Sequence, residues 1–153
     1  CKNLKKLNME SSKLIKIYDN LIFENFIPGQ EIQVAVKGGK SIGAIELKPK
    51  RSFYDYKAKY KKSAKTLHIM PAPIPQKKYT EVLKISEKAN KVLNCRGIIR
   101  CDFRFFKNKF YLLEVNTQPG MTNLSLVPEI AKHSNITFTK LVKWMVRDAS
   151  INR

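Results

Sequence analysis

At 153 residues, 43% hydrophobic and 27% charged, the chain holds enough for one domain with a proper core and too little for two large ones. It has no apolar run of the ~18 residues a membrane span needs. The start, "CKNLKKLNMESSKLIK", has neither the apolar region nor the cleavage site of a signal peptide. The formal charge of +18 suggests an anionic partner, but the lysines are scattered over every segment. We read that charge as a compositional bias plus a local anion site, against a nucleic-acid groove.

In chain order, "MESSKLIKIYDN" predicts a helix over 9–20, with Leu14, Ile17 and Tyr18 at helical spacing. Three β-like stretches follow: 21–26, then 31–37 after a Pro28-Gly29 turn, then 41–48 after the hairpin signal Gly38-Gly39. In the second, Ile32, Val34 and Val36 share one face and Glu31, Gln33 and Lys37 the other. Residues 50–66 are polar, aromatic and basic, an ordered loop or short helix. Residues 76–94 carry Tyr79, Val82, Leu83, Ser86, Ala89, Val92 and Leu93 at a 3.6 period, an amphipathic helix. Strands over 97–106 and 109–116 precede a Pro-Gly loop. A last helix puts Phe138, Leu141, Val142 and Met145 inward with Thr137 as N-cap, and Trp144 is expected to be structural. The order α-βββ-loop-α-ββ-α predicts an α+β layer of helices over a largely antiparallel sheet.

Cys1, Cys95 and Cys101 are odd in number and lack C-x-x-C spacing. That argues against a disulfide framework or structural zinc, and fits a reducing cytosol. His68 and His133 show no partner pattern and read as surface or packing residues.

The hairpin 97–116 holds the chemistry. Arg100, Asp102 and Arg104 share one face of its first strand; Leu112, Glu114 and Asn116 alternate with Tyr111, Leu113 and Val115 on the second. A two-residue turn at Lys107-Asn108 sets Asp102 opposite Leu113 and mixes the faces. A three-residue loop, Lys107-Asn108-Lys109, instead pairs Phe106 with Phe110, Phe103 with Leu113, Asp102 with Glu114 and Arg100 with Asn116. The longer loop is therefore expected, with Asn108 tolerating a left-handed backbone. Facing carboxylates repel unless a cation lies between them. Mg²⁺ takes one or two carboxylates plus phosphate oxygens, which suits Asp102, Glu114 and the Asn116 amide, with Arg100 placed for a phosphate. The alternative is an exposed sheet face on which Arg100 and Arg104 pair with Asp102 and Glu114; spacing leaves both open.

"LLEVNTQPGMTNLSLVPEIA" resembles the C-terminal signature of D-alanine–D-alanine ligases of the ATP-grasp superfamily. "FYDYKAKY", "IRCDF" and "LIFENFIPGQEIQVAV" resemble further blocks of that family, in matching order over roughly residues 20–145. The resemblance implies an ATP-grasp C-terminal domain over 1–153, with 1–20 as the tail of the small nucleotide-binding subdomain. It implies ATP-dependent joining of two D-alanines through an acyl phosphate, for peptidoglycan, in the cytoplasm. Glu114 would bridge two Mg²⁺ ions (Mn²⁺ being an alternative), with Asp102 holding one and Asn116 the other. Arg100 would contact the transferring phosphate, and with the Gly120 N–H would stabilise the oxyanion. Lys59 and Ser125 would hold the second D-alanine's carboxylate, with Leu126 lining that pocket. Tyr60 would close the site from the 53–66 loop, while Glu24 reads adenine and Glu31 the ribose.

No initiator Met is present, and no stretch resembles the family's first domain or its phosphate-gripping lysines and serine loop. The chain is thus expected to be a C-terminal piece, inactive alone, whose partners are ATP, D-alanine, the missing N-terminal part of the same enzyme and a second copy in a homodimer. Rival expectations are another ATP-grasp carboxylate–amine ligase, for example one joining D-alanine to D-lactate or D-serine, a catalytically dead remnant that merely binds a partner, or a basic nucleic-acid-binding module.

Overall fold

A computed structural model describes residues 1, 3–48, 66–122 and 124–151. Helix α1 spans Leu4–Leu14, and the strands are β1 Gln30–Lys37, β2 Lys40–Lys48, β3 Leu67–Ile69, β4 Ile98–Phe106 and β5 Lys109–Asn116. Helix α2 spans Gln76–Val92, α3 Leu126–His133 and α4 Phe138–Asp148. The five strands form one antiparallel sheet in the order β3-β2-β1-β4-β5, with β1 at its centre.

Both faces of the sheet are covered, because β1 carries apolar residues at both parities. Ile32, Val34 and Val36 join Ile99, Cys101 and Phe103 under α2, which adds Val82. On the opposite face Ala35, Ile45, Leu47 and Ile98 pack beneath Leu126, Val127, Ile130 and Ala131 of α3 and Leu141 of α4. Phe110 meets Phe105 at 4.5 Å and Phe103 at 6.0 Å between ring centroids, so these aromatics pack on one another. The α3–α4 pair covers only part of its face. Beyond it, the same parity of β1, β4 and β5 turns polar, and there the candidate site lies.

The elements differ from the expected order in several places, among them helix α3, which that order lacked. The first helix begins at Leu4, because Asn3 Oδ1 accepts the Lys6 N–H at 2.9 Å and caps it there; it ends at Leu14, and Ile17 and Tyr18 are exposed. Residues 21–26 form no strand; Ile22, Phe23 and Phe26 lie exposed with no ladder beside them. A short β3, absent from the sequence-based expectation, pairs instead with β2. Helix α2 buries Val82, Ser86 and Asn90, but Val92 and Leu93, expected on its inner face, lie exposed at its C-terminal end. In α4 Leu141 is buried and Met145 and Trp144 pack on the core, while Phe138 and Val142 remain partly exposed. Thr137 caps α4 as expected, accepting from the Lys140 N–H. Residues 50–65 of the expected 50–66 loop or short helix lie outside the described residues.

The hairpin corrects the expected loop. Phe106 pairs with Lys109, Phe105 with Phe110 and Phe103 with Leu112, so the turn has two residues, Lys107 and Asn108, at φ 47° and 63°. That is the left-handed geometry whose twist matches a β-hairpin. The register then shifts between Asp102 and Phe103, and from there Asp102 faces Glu114 and Arg100 faces Asn116. A bulge at Leu113 supplies the extra residue that the longer loop was expected to supply.

Candidate active site

Strand pairing builds the site in rows. Gln33 of β1 lies opposite Asp102 of β4, which lies opposite Glu114 of β5. The neighbouring rows are Glu31–Arg104–Tyr111 and Ala35–Arg100–Asn116. Neighbouring strands run ~4.8 Å apart, so groups in one row and of one parity converge.

Arg100 grips Asp102 with a fork: Nε donates to Oδ1 at 2.7 Å and Nη2 to Oδ2 at 2.9 Å. The same Nη2 lies 3.6 Å from Glu114 Oε1, so one guanidinium spans both carboxylates. The Arg100 and Asp102 side chains are 11% and 12% exposed, that of Glu114 57%. Arg104 pairs with Glu31, not Glu114, at 3.1 Å, and donates to the Gly29 carbonyl at 3.2 Å. Asn116 Oδ1 accepts the Gln118 N–H at 2.9 Å, which turns the chain out of β5.

Glu24, Glu31, Gln33, Asp102, Arg104 and Glu114 line one cleft of about 530 Å³, with Phe26 and Ile27 as apolar wall. The entry turn is set by Gly29 at φ +103°, where a Cβ would stand 2.2 Å from the Phe105 carbonyl oxygen. Only glycine lets β1 start this close to β4.

For a divalent cation the donor set fits: two carboxylates opposed across adjacent strands, and an amide oxygen two residues along. No group of three or more His, Cys, Asp or Glu side chains suited to a metal occurs among the described residues. Mg²⁺ does not require one, since it completes its shell with water and phosphate oxygens.

The other expected site residues fall into separate groups. Gly120 sits against Ser125; a Cβ there would be 2.9 Å from Ser125 Oγ. Ser125 occupies the N-cap position of α3, but its hydroxyl does not cap the helix. Its Oγ instead accepts the Thr122 N–H at 3.0 Å and bonds the Thr122 hydroxyl at 2.9 Å, pinning the Pro-Gly-Met-Thr loop. Leu126 is buried in the cluster under α3. Lys59 and Tyr60 lie outside the described residues.

Gln33 and Arg104 join the site although neither was singled out; their sequence signal was parity with Glu31 and Asp102. His68 is not partnerless as expected: Nδ1 lies 2.7 Å from Glu129 Oε2, tying β3 to α3. This contact crosses 61 positions, so no local pattern announces it. Cys101 is fully buried beneath the site, and burial pushes its thiol up to about 11, partly offset by a hydrogen bond with Ser86.

Residues 1–147 match the family model described as D-ala D-ala ligase C-terminus. The chain is 54% identical over 145 residues to the D-alanine–D-alanine ligase of Pelagibacter ubique, an alignment covering 95% of this chain and 48% of that protein. It is 45% identical over 137 residues to that of Paramagnetospirillum magneticum, covering 86% and 45%. In structure it resembles the D-alanine–D-alanine ligase of Bacillus anthracis complexed with ATP, with a TM-score of 0.80, 28% identity, and coverage of 95% and 48%. The chain thus spans about half the length of the relatives it matches. Among the described residues no helix is long and apolar enough to cross a membrane.

Proposed function

Because the chain belongs to the D-ala D-ala ligase C-terminus family, we propose that it forms the nucleotide- and metal-binding floor of an ATP-dependent ligation of two D-alanines to D-alanyl-D-alanine. The product would serve peptidoglycan synthesis in the cytoplasm, and the chain would act as the C-terminal ATP-grasp domain with the rest of the enzyme. One observation carries this reading: Asp102 and Glu114 stand directly opposite each other, with the Arg100 guanidinium spanning them and Asn116 in the next row.

In this reading Asp102, Glu114 and Asn116 would hold magnesium, which would supply charge neutralisation for the nucleotide phosphates. Arg100 is already within reach of both carboxylates. It turns its remaining donors to the transferring phosphate and then to the oxyanion, aided by the Gly120 N–H. Glu31, held by Arg104 at 3.1 Å, accepts from the ribose hydroxyls. Exposed Glu24, on the same cleft, reads the adenine edge. Ser125 and Lys59 orient the second D-alanine, Leu126 shapes its pocket from behind, and Tyr60 excludes water from the hydrolysable acyl phosphate.

Calorimetry tests this. ADP is expected to bind in the presence of Mg²⁺ and to lose most of its affinity when the metal is chelated. Glu114→Gln should weaken the Mg²⁺-dependent part at least tenfold, since losing even an outer-shell partner of a ligand commonly costs 10–100-fold. An unchanged metal response in that variant would overturn the assignment.

A further inference from the structure

Gln33 is the most enclosed polar side chain of the cleft. Its residue is 1% exposed, and its Oε1 finds no hydrogen-bond partner among the described residues. It lines the cleft, and strand pairing sets it in the row Gln33–Asp102–Glu114. Leaving a buried carbonyl oxygen unsatisfied is costly, and a leucine of similar size would fold there at less expense. Placement next to the cluster that Arg100 bridges limits what can satisfy it. A carbonyl oxygen accepts only from a donor or faces a cation; an anionic phosphate oxygen is repelled.

We propose that Gln33 is a positioning residue for the divalent-cation site, its Oε1 accepting a hydrogen bond from a water in the cation's coordination shell. The proposal rests on the metal role given above to Asp102 and Glu114. It adds a third member to their row, from the central strand. That water is then oriented from the floor while the two carboxylates meet the ion. Groups of this outer kind commonly change metal affinity by 10–100-fold when removed.

The test is Mn²⁺ binding to this chain, with free ion counted by electron paramagnetic resonance, alongside thermal unfolding in the absence of metal. Gln33→Leu should weaken Mn²⁺ binding about tenfold and raise the melting temperature by about 2–4 °C, because the unsatisfied oxygen is gone. Gln33→Glu, which keeps an acceptor at the same reach, should bind Mn²⁺ at least as tightly as the wild type. A merely packed glutamine would give Gln33→Leu unchanged Mn²⁺ affinity. If Gln33→Leu binds like the wild type while Asp102→Asn and Glu114→Gln lose the ion, the role of Gln33 is overturned and the metal assignment stands. If neither carboxylate variant changes binding, the metal assignment itself falls, and the role of Gln33 with it.

Discussion

At the scale of single residues, Arg100 does two jobs whose signs oppose. It neutralises Asp102 through a fork at 2.7 and 2.9 Å, and its Nη2 lies 3.6 Å from Glu114, so a cation held by these two carboxylates would compete with it. Removing one partner of a nearly buried ion pair leaves the other charge uncompensated. Arg100→Ala is therefore expected to cost about 3 kcal/mol of stability in metal-free buffer. The same variant should recover more stability than the wild type when Mn²⁺ is added, since the ion no longer competes with a guanidinium. Thermal unfolding with and without Mn²⁺ checks both signs; equal gains in the two proteins would refute the competition.

Cys101 gives a second expectation at this scale. Its thiol is raised from 9.0 to about 11 by burial, so the folded chain holds that proton where the unfolded chain begins to release it. The corresponding stability is fully present below about pH 9 and is lost as pH rises through about 11. At pH 8, thiol labelling should modify exposed Cys1 and partly exposed Cys95 first, and reach Cys101 only on unfolding. Equal labelling rates for all three would contradict the burial.

Among elements, the β4–β5 hairpin decides whether a site exists. Its two-residue turn alone would send Glu114 and Asn116 to the wrong parity, and the bulge at Leu113 returns them. Deleting Leu113 should turn the bulge into a regular ladder and keep the Mn²⁺ response, because the two-residue turn then pairs Asp102 with Glu114 directly. Inserting one alanine between Leu113 and Glu114 should abolish it if the ladder stays otherwise regular, by moving Glu114 and Asn116 out of register with Asp102 and Arg100. Retention of the response in the insertion variant would show that the register beyond the bulge is unimportant. The turn also offers a gain: Lys107 at φ 47° pays for a left-handed backbone that asparagine adopts more readily, and glycine suits position 108. Lys107→Asn with Asn108→Gly should stabilise the chain by about 1 kcal/mol, read from urea unfolding.

The same hairpin shows what can be read from a sequence. The facing of Asp102 and Glu114 was legible because alternation forces polar residues onto one face. The device that achieves it was not legible, since a longer loop and a bulge place the same residues opposite. The Gly38-Gly39 turn and helix α2 were also legible, one from turn chemistry and the other from its period. The stretch 21–26 misled because apolar residues there have no neighbouring strand, and pairing is a tertiary fact. Gln33 escaped for a related reason: its parity was visible, but not that its oxygen would find no partner.

For the whole molecule, the sheet divides its labour across one face. Its α3–α4 side is a packed core in which Ile130, Ala131 and Leu141 are fully buried, while its other side holds the charged rows. Ile130→Ala should cost about 3–4 kcal/mol by leaving a cavity, and should leave the affinity of the remaining folded protein for Mn²⁺ nearly unchanged. A matching loss of affinity would mean that the two halves of the face are coupled. The formal charge of +18 adds a global field that attracts anions from any direction. Affinity for Mg²⁺–ADP should consequently fall severalfold as sodium chloride rises from about 50 to about 500 mM.

Trp144, the single tryptophan, lies where the β1–β2 hairpin tip meets the last helix. The Lys37 ammonium stands 4.2 Å from its ring centroid, and a Cβ on Gly38 would come within 2.9 Å of the indole. The intrinsic ultraviolet emission of this protein is thus a local gauge of one joint, blind to the charged rows on the far strands. A fluorescence melt that precedes the circular-dichroism melt would time the peeling of the final helix from the hairpin, giving that detachment its own optical clock.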